Sequence, residues 1–202
     1  MYIRKKILFL LPLIFSLSVL SSDIEEIIVK GEYREKSLGE EDSSIVVIQS
    51  EQIKSQAIKH FQQLSHLVPN LNYAASDSRA RYFQIRGIGE RSGYQGTPNS
   101  SVGFLIDDID YSGQGGIATL FDVDQVEVFR GPQGSRSGAN ALAGLIYIKT
   151  KDPTEKFEGT SELTLGDYGT QNIGIAFGGP MQNKKLKYRL VLRTDYADGF
   201  RK

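Results

Sequence analysis

The sequence predicts an α+β domain, a small mixed sheet with short helices, followed by three antiparallel strands. Three observations predict this fold class. Residues 126–149 read as a strand, a turn rich in glycine and proline, and a second strand. Residues 50–68 carry helix signals. After Pro153 the chain changes to a strict alternation of apolar and polar side chains, which is typical of half-exposed strands.

The N-terminus has the pattern of an export signal. A basic start at residues 4–6 precedes an apolar run over residues 7–20, and small residues follow it. A membrane anchor is the alternative, but about 14 apolar residues fall short of the roughly 20 that a spanning helix needs. We therefore predict a signal peptide over residues 1–22, cleaved near Ser21 or Ser22, and exclude it from the fold.

Composition excludes several classes of protein. The chain has 24 basic and 24 acidic residues, so no net charge attracts it to nucleic acid. It has no cysteine and cannot form disulfides, although an exported protein meets an oxidising compartment. With no cysteine, two histidines and no coherent acid/base pair, the sequence offers no catalytic residues. We expect neither an enzyme, nor a cofactor, nor a metal site.

Helices are predicted between a first strand, residues 44–48, and Pro69. Ser50 is a good N-cap for a helix over residues 51–57, and a second helix is predicted over residues 59–68. The two histidines, His60 and His66, lie six positions apart in it, whereas a metal pair on a helix prefers a spacing of about four. We interpret both as ordinary helix residues.

Two further strands are predicted in the middle of the chain, in residues 81–89 and 101–107. Asp107, Asp108 and Asp110 close the second one. Three carboxylates so close together could indicate a calcium loop, but no glycine or terminal glutamate completes an EF-hand. Turn residues are the favoured interpretation.

Glycine and proline dominate the turn inside residues 126–149. So many glycines indicate close backbone packing or turns that need positive φ. A phosphate-binding loop is excluded, because residues 131–137 hold no lysine before the serine. A dinucleotide fingerprint at Gly87 and Gly89 is excluded too, because the third glycine, Gly93, comes one position late.

Three amphipathic strands are predicted after Pro153, separated by turns near residues 167–169 and 179–184. Their length of about 10 residues suits a transmembrane strand with an apolar lipid face and a polar inner face. Soluble antiparallel sheets alternate in the same way. The alternation alone leaves both interpretations open.

Two segments resemble signatures of TonB-dependent outer-membrane receptors. The stretch from Val126 to Lys149, with its Val-Glu-Val-Phe-Arg-Gly-Pro-Gln-Gly start, resembles the end of their plug domain, and Gln84-Ile-Arg-Gly-Ile-Gly89 resembles a second plug signature. The resemblance implies a plug domain over residues 44–152 and the start of a transmembrane β-barrel over residues 153–202. It implies transport across the bacterial outer membrane. Two positions depart from the family pattern, since Asn70 and Asp108 stand where glycine is commoner.

The resemblance also implies a partner for the start of the mature chain. Residues 23–43 would hold a TonB box and a linker, and the box would bind TonB, the periplasmic energy-transducing protein, by adding an exposed strand to its sheet. The predicted TonB-binding residues are Ile24, Glu25, Glu26, Ile27, Ile28, Val29 and Lys30. A frayed terminus or a minor edge strand is the alternative.

Two arginines match plug residues that pair with glutamates on the inner barrel wall in the family. They are Arg86 and Arg130, and the resemblance implies that they lock the plug in its barrel through forked hydrogen bonds. The alternative is a local ion pair with Glu127 or a nearby aspartate.

By the same resemblance, apical loops over residues 74–80, 90–100 and 111–116 would hold a bulky polar ligand, most often a ferric siderophore, with cobalamin, haem and oligosaccharides as alternatives. The candidate ligand-binding residues are Arg79, Tyr94, Gln95, Tyr111 and Gln114.

The length of the chain sets a further expectation. A plug occupies a barrel of about 22 strands, whereas three strands cannot close and open edges are not tolerated in lipid. We therefore expect a fragment or a prematurely terminated product of a receptor gene. The rival prediction is a truncated plug module that binds TonB in the periplasm without transporting anything.

Overall fold

The computed structural model describes residues 26–32, 34–75, 79–92, 99–114, 118–182 and 185–198. The predicted signal peptide lies outside the described residues. The strands are β1 (Ile28–Val29), β2 (Lys36–Ser37), β3 (Ile45–Gln49), β4 (Leu71–Ala75), β5 (Ala80–Ile85), β6 (Val102–Ile106), β7 (Ile109–Asp110), β8 (Val123–Phe129), β9 (Gly144–Thr150), β10 (Glu158–Leu165), β11 (Gln171–Pro180) and β12 (Lys187–Tyr196). The helices are α1 (Ser50–Ser55), α2 (Phe61–Leu64) and α3 (Gly134–Ser137), and a 3-10 turn covers Leu38–Glu40.

A five-stranded mixed sheet, in the order β3-β8-β9-β6-β7, forms the centre of the fold. The β6–β9 pair is parallel, and the other neighbours are antiparallel. This confirms the predicted α+β class with a small mixed sheet and short helices. We call this sheet with its covering elements, residues 45–150, the sheet domain.

One face of the sheet packs under the helices and holds the main core. Alternation along β8 and β9 directs Val126, Val128, Ile146 and Ile148 to this face. An aromatic cluster of Phe61, Phe83 and Phe104 lies in the same core, with ring centres 5.0, 5.2 and 5.7 Å apart. Contacts of this kind contribute about 0.5–1.5 kcal/mol each beyond simple burial.

The opposite face has its own smaller core, which includes a side chain from the leading segment. Phe129, Leu145 and Tyr147 pack there with Val29 of β1. The same alternation places Glu127 on this face, where it is fully buried. A charged residue therefore lies among apolar neighbours at the point where the leading segment meets the sheet.

The helices differ from their predicted bounds. Ser50 is the first residue of α1 rather than its N-cap, which is Gln49. Ala57 has φ +51, a left-handed conformation that ends the helical path. The predicted second helix is reduced to α2, where the side chain of Gln63 accepts hydrogen bonds from the backbone of Lys59 and His60. That cap fixes the start of α2 at residue 61.

The two positions that depart from the family pattern both have left-handed backbone. Asn70 has φ +63, and asparagine tolerates this region better than most residues. Asp107 and Asp108, with φ +45 and +71, form the two-residue turn between β6 and β7. Positive φ at both central residues is what a type I′ hairpin turn requires.

The last three strands form a separate antiparallel sheet, β10-β11-β12, which we call the C-terminal sheet. Its register pairs Leu163 with Ile173 and Ile175 with Leu192, so the apolar rows predicted from the sequence share one face. The side chains of this face are exposed. The other face, which includes the buried Asn172 and Ala176, lies toward the sheet domain.

In the part of the chain that the structure describes, no helix is long and apolar enough to span a membrane.

Candidate functional site

The leading segment, predicted to bind TonB, is docked on the sheet domain. Ile24 and Glu25 lie outside the described residues. Ile28 and Val29 form β1, which pairs with β2, and the backbone N–H of Leu38 donates to the carbonyl of Ile27 at 2.8 Å. Ile28 is 39% exposed, whereas Val29 is 0% exposed. The segment is therefore not a free strand in this structure, and its assignment to TonB stays a prediction.

A buried carboxylate holds the segment by its backbone. Glu127 accepts hydrogen bonds from the backbone N–H groups of Lys30, at 2.6 Å, and Gly31, at 2.8 Å. The side chain of Gln125 donates to the carbonyl of Ile28 at 2.8 Å and to Glu127 at 2.5 Å. Hydrogen bonds to a charged acceptor are roughly twice as strong as neutral ones. We call Gln125 and Glu127 together the Glu127 clamp.

The electrostatics of the clamp reflect two opposing effects. Burial raises the pKa of Glu127 above its ordinary value. The backbone N–H groups of Lys30 and Gly31 and the side chain of Gln125 act in the opposite direction, because they stabilise the charged form. Outside the clamp, the ammonium group of Lys30 lies 2.7 Å from the carboxylate of Asp124. Both members of that outer pair are partly exposed, so the pair contributes less than the buried bonds.

Gly31 fits this site because it has no side chain. A Cβ atom at Gly31 would lie 2.6 Å from a carboxylate oxygen of Glu127 and 2.7 Å from the ring of Phe129. Both neighbours belong to β8, whose backbone is fixed on two sides by β3 and β9. A larger residue at position 31 would displace the segment rather than the sheet.

A second contact joins the sheet domain to the C-terminal sheet. The guanidinium of Arg189, on β12, donates two hydrogen bonds of 2.5 Å to the carboxylate of Asp122. The two side chains are 10% and 5% exposed. Beside them the guanidinium of Arg193 lies 5.4 Å from the centre of the Phe121 ring, within the range of a cation–π contact.

The surroundings of this ion pair are loosely filled. Two cavities, of about 480 and 290 Å³, both include Asp122 in their walls. The contact between the two sheets at this point therefore depends on a few side chains rather than on a broad packed surface.

The two arginines predicted to lock the domain have no acidic partner here. Arg86 is exposed and has φ +53. Arg130 is partly buried, its backbone N–H donates to the carbonyl of Ser44 at 2.8 Å, and its Nε atom is buried without a hydrogen-bond partner. Within the described ranges neither forms an ion pair with a carboxylate. The lock itself stays a prediction, and the local pair with Glu127 is not formed, since that carboxylate holds the leading segment.

The candidate ligand-binding residues are only partly described, because Tyr94 and Gln95 lie outside the described residues. Tyr111 is 39% exposed and Gln114 lies in the turn that follows it. The side chain of Arg79 lies 2.8 Å from the Nδ1 atom of His60, and Arg81 donates to the carbonyl of Gly113 at 3.3 Å. The loops after β4 and β7 therefore approach each other, which is compatible with one shared binding surface.

Residues that raised other possibilities have local roles. His60 caps α2, where burial lowers its pKa, and His66 is exposed. Asp107 accepts hydrogen bonds from the backbone and hydroxyl of Thr150, whereas Asp108 forms an ion pair with Arg136. The aspartates serve different partners, as turn residues do.

Sequence reasoning missed the two best-defined polar contacts of the structure. Glu127 was noticed only as a partner for an arginine, although a lone glutamate between two valines of a buried strand is a signal of a satisfied buried charge. Asp122 and Arg189 were not singled out. Their pairing depends on the register of β12 against the sheet domain, which no local pattern specifies.

Known proteins resemble this chain in sequence and in fold. A family model described as TonB-dependent Receptor Plug Domain matches residues 37–145. The pesticin receptor of Yersinia pestis is 25% identical over 192 residues, which cover 94% of this chain and 28% of that receptor. The ferripyoverdine receptor of Pseudomonas aeruginosa is 24% identical over 139 residues, 68% of this chain and 16% of that receptor. The chain thus spans less than a third of the length of these relatives.

Solved structures show the same fold. The ferripyoverdine receptor of the outer membrane of Pseudomonas aeruginosa, bound to ferripyoverdine, superposes with a TM-score of 0.69 at 20% identity, over 84% of this chain and 22% of that one. The ferric yersiniabactin uptake receptor from Yersinia pestis superposes with a TM-score of 0.65 at 25% identity, over 75% of this chain and 24% of that one.

Proposed function

The chain belongs to the TonB-dependent receptor plug domain family, and from this membership we propose that it is the plug-containing part of a receptor that imports a bulky iron complex, of the ferric siderophore class, across the bacterial outer membrane. TonB supplies the energy from the inner membrane. The relatives whose names state a ligand support the iron-complex class, since they are named for ferripyoverdine and ferric yersiniabactin.

One observation carries this proposal beyond the family match. A globular domain with a docked N-terminal segment is joined by the Asp122–Arg189 pair to an antiparallel sheet that turns its apolar rows outward. A plug attached to the inner face of a lipid-facing wall needs this arrangement. Each part of a TonB-driven transporter that falls in the described residues then has a place: a segment to be pulled, a domain to be moved, and a wall that holds it.

The rival candidate, a plug module working in the periplasm, fits this surface less well. On the C-terminal sheet Leu163, Leu165, Leu190 and Leu192 are all exposed on strands that pair in register. In the periplasm this contiguous apolar row would face water, whereas in an outer membrane it would face lipid. The row favours the transporter.

Transport assays test the proposal. The full-length gene is expressed in a Gram-negative host that lacks its own receptors, and uptake of iron-55 is measured with ferripyoverdine and ferric yersiniabactin as probes. We expect energy-dependent uptake of an iron complex in cells with TonB and cell-surface binding without uptake in cells without it. Equal uptake in both strains, or binding of neither probe, would contradict the proposal in this form.

A further inference from the structure

We propose that the Glu127 clamp is a peptide-docking site for the chain's own Ile28–Gly31 segment, and that it competes with TonB for that segment. The inference rests on the proposed function for the identity of the competitor. The site itself rests on contacts within the chain. Its ligand is an extended Val-Lys-Gly tripeptide, taken up by its backbone and by one small apolar side chain.

The first argument is that the site has the composition of a peptide pocket. The side chain of Val29 fills an apolar hollow formed with Phe129, Leu145 and Tyr147, and no part of it is exposed. Directly beside that hollow, Glu127 accepts two backbone N–H groups. Apolar anchorage beside directed backbone bonds is the way in which many proteins take up extended peptides.

The second argument is that docking and strand addition need the same atoms. To join another sheet, the segment must offer its backbone N–H and carbonyl groups to a new neighbour. In this structure the carbonyl of Ile28 accepts from Gln125, and the N–H groups of Lys30 and Gly31 donate to Glu127. Ile28 and Val29 are in addition paired with β2. A partner can therefore bind the segment as a strand only after it leaves the clamp.

The third argument is that the buried carboxylate depends on the segment. Glu127 is fully buried on a sheet face that is otherwise apolar. A buried carboxylate without donors is costly, so the segment satisfies Glu127 as much as Glu127 holds the segment. Release of the segment uncovers the charge to water. This makes docking a two-state event rather than gradual fraying.

The consequence is a fixed reduction of the apparent affinity for TonB. When only a fraction of molecules has the segment undocked, the apparent dissociation constant rises by the inverse of that fraction. Any event that weakens the clamp raises the affinity for TonB without changing the segment itself.

Thiol labelling tests docking directly. The chain has no cysteine, so Val29→Cys introduces a reporter into the full-length protein, and the parent protein gives the background. A maleimide should react with this thiol only when the segment is undocked. Glu127→Gln keeps the size of the side chain but loses an acceptor, and we expect labelling to accelerate about ten-fold or more. Ile48→Cys, in the main core, should stay protected in both backgrounds if the sheet domain is intact.

A second variant leaves the core untouched. Gly31→Ala places a methyl group against Glu127 and Phe129, and Gly39→Ala is its matched control, because a Cβ there would meet only the Ser37 hydroxyl at 3.7 Å. A spin label at position 28, which is partly exposed, reports segment mobility in both. We expect a mobile spectrum for Gly31→Ala and an unchanged one for Gly39→Ala. Unchanged behaviour in both Glu127→Gln and Gly31→Ala would overturn the docking site.

Binding of the purified TonB C-terminal domain separates the two proposals. If the clamp competes, Glu127→Gln should bind TonB about ten-fold or more tightly than the parent. Mobility that increases while TonB affinity stays the same would overturn the competition. Mobility that increases while no variant binds TonB at all would leave the docking site standing and contradict the proposed function instead.

Discussion

Arg189 on β12 holds the carboxylate of Asp122 through two hydrogen bonds of 2.5 Å, although 67 residues separate them in the chain. Asp122 has φ +60, in the left-handed region, and lies immediately before β8. The pair therefore connects the strand that carries the Glu127 clamp to the C-terminal sheet. It lies on the face of β12 opposite the exposed apolar row, and its partner is fixed by a tight turn.

Asp122→Asn should weaken the seating of the sheet domain. Asparagine tolerates the left-handed backbone, so the turn is kept while the charge is lost. Because Arg189 would then be left nearly buried without its counter-charge, we expect a loss of about 3 kcal/mol in the free energy of unfolding. Denaturant titration of the full-length protein in detergent, followed by circular dichroism, measures it.

Lys187→Ala is the control for that experiment, because it removes the exposed ion pair with Glu155 on the same strand. Exposed pairs contribute less than about 1 kcal/mol, so the midpoint should hardly move. Equal losses in the two variants would show that the buried pair has no special role.

Substitutions at Asn70 should reveal the requirement for left-handed backbone after α2. Its φ of +63 suits glycine at least as well as asparagine, so Asn70→Gly should leave thermal stability equal or slightly higher. Asn70→Val should cost about 1–2 kcal/mol, since a β-branched side chain is strained there. The exposed His66→Val is the control for β-branching in the same region. A harmless Asn70→Val would mean that the turn adopts another backbone conformation.

The pH dependence of stability should carry a signature of Glu127. Burial raises its pKa above the ordinary value of 4.5, so between those two values the folded chain binds more protons at this site than the unfolded chain does. Its contribution to stability therefore falls as the pH rises from about 4.5 through the raised pKa. Glu127→Gln lacks this contribution.

Urea midpoints between pH 4 and 8 measure the effect as the difference between parent and Glu127→Gln. That difference should shift against the parent as the pH rises. A shift in the parent's favour would mean that the backbone hydrogen bonds from Lys30 and Gly31 outweigh the burial of the carboxylate.

Local pattern predicted most strands of this fold, because alternation is a property of a few neighbouring residues. Residues 126–129 and 145–148 lie in the central strands β8 and β9, and the three strands after Pro153 have the predicted faces. The hairpin of β4 and β5 was only half anticipated, and the short α3 inside the glycine-rich turn was not. Single turns of helix leave too little periodicity to detect.

The candidate site could be predicted only in part, because its contacts join residues far apart in the chain. Glu127 meets Lys30 and Gly31 across 97 and 96 positions. The sequence marked residues 24–30 as a segment with a partner, but it could not indicate that the sheet domain itself holds the segment. Such pairing follows from the register of the whole sheet, which is a global property.

Ile27→Pro should separate energy coupling from ligand binding. Proline removes the N–H group of residue 27 and disfavours strand pairing, so the segment can no longer add a complete strand to a partner. The carbonyl of Ile27, which accepts from Leu38, remains. We expect iron-complex binding at the cell surface to stay unchanged while uptake is abolished, measured with the same iron-55 probes at 0 °C and 37 °C. Ser43→Pro, in the predicted linker, is the matched control and should keep uptake, since Ser43 lies outside every strand. Uptake that survives Ile27→Pro would mean that TonB grips another part of the chain, and the search for the coupling segment would then move to the residues that follow β1.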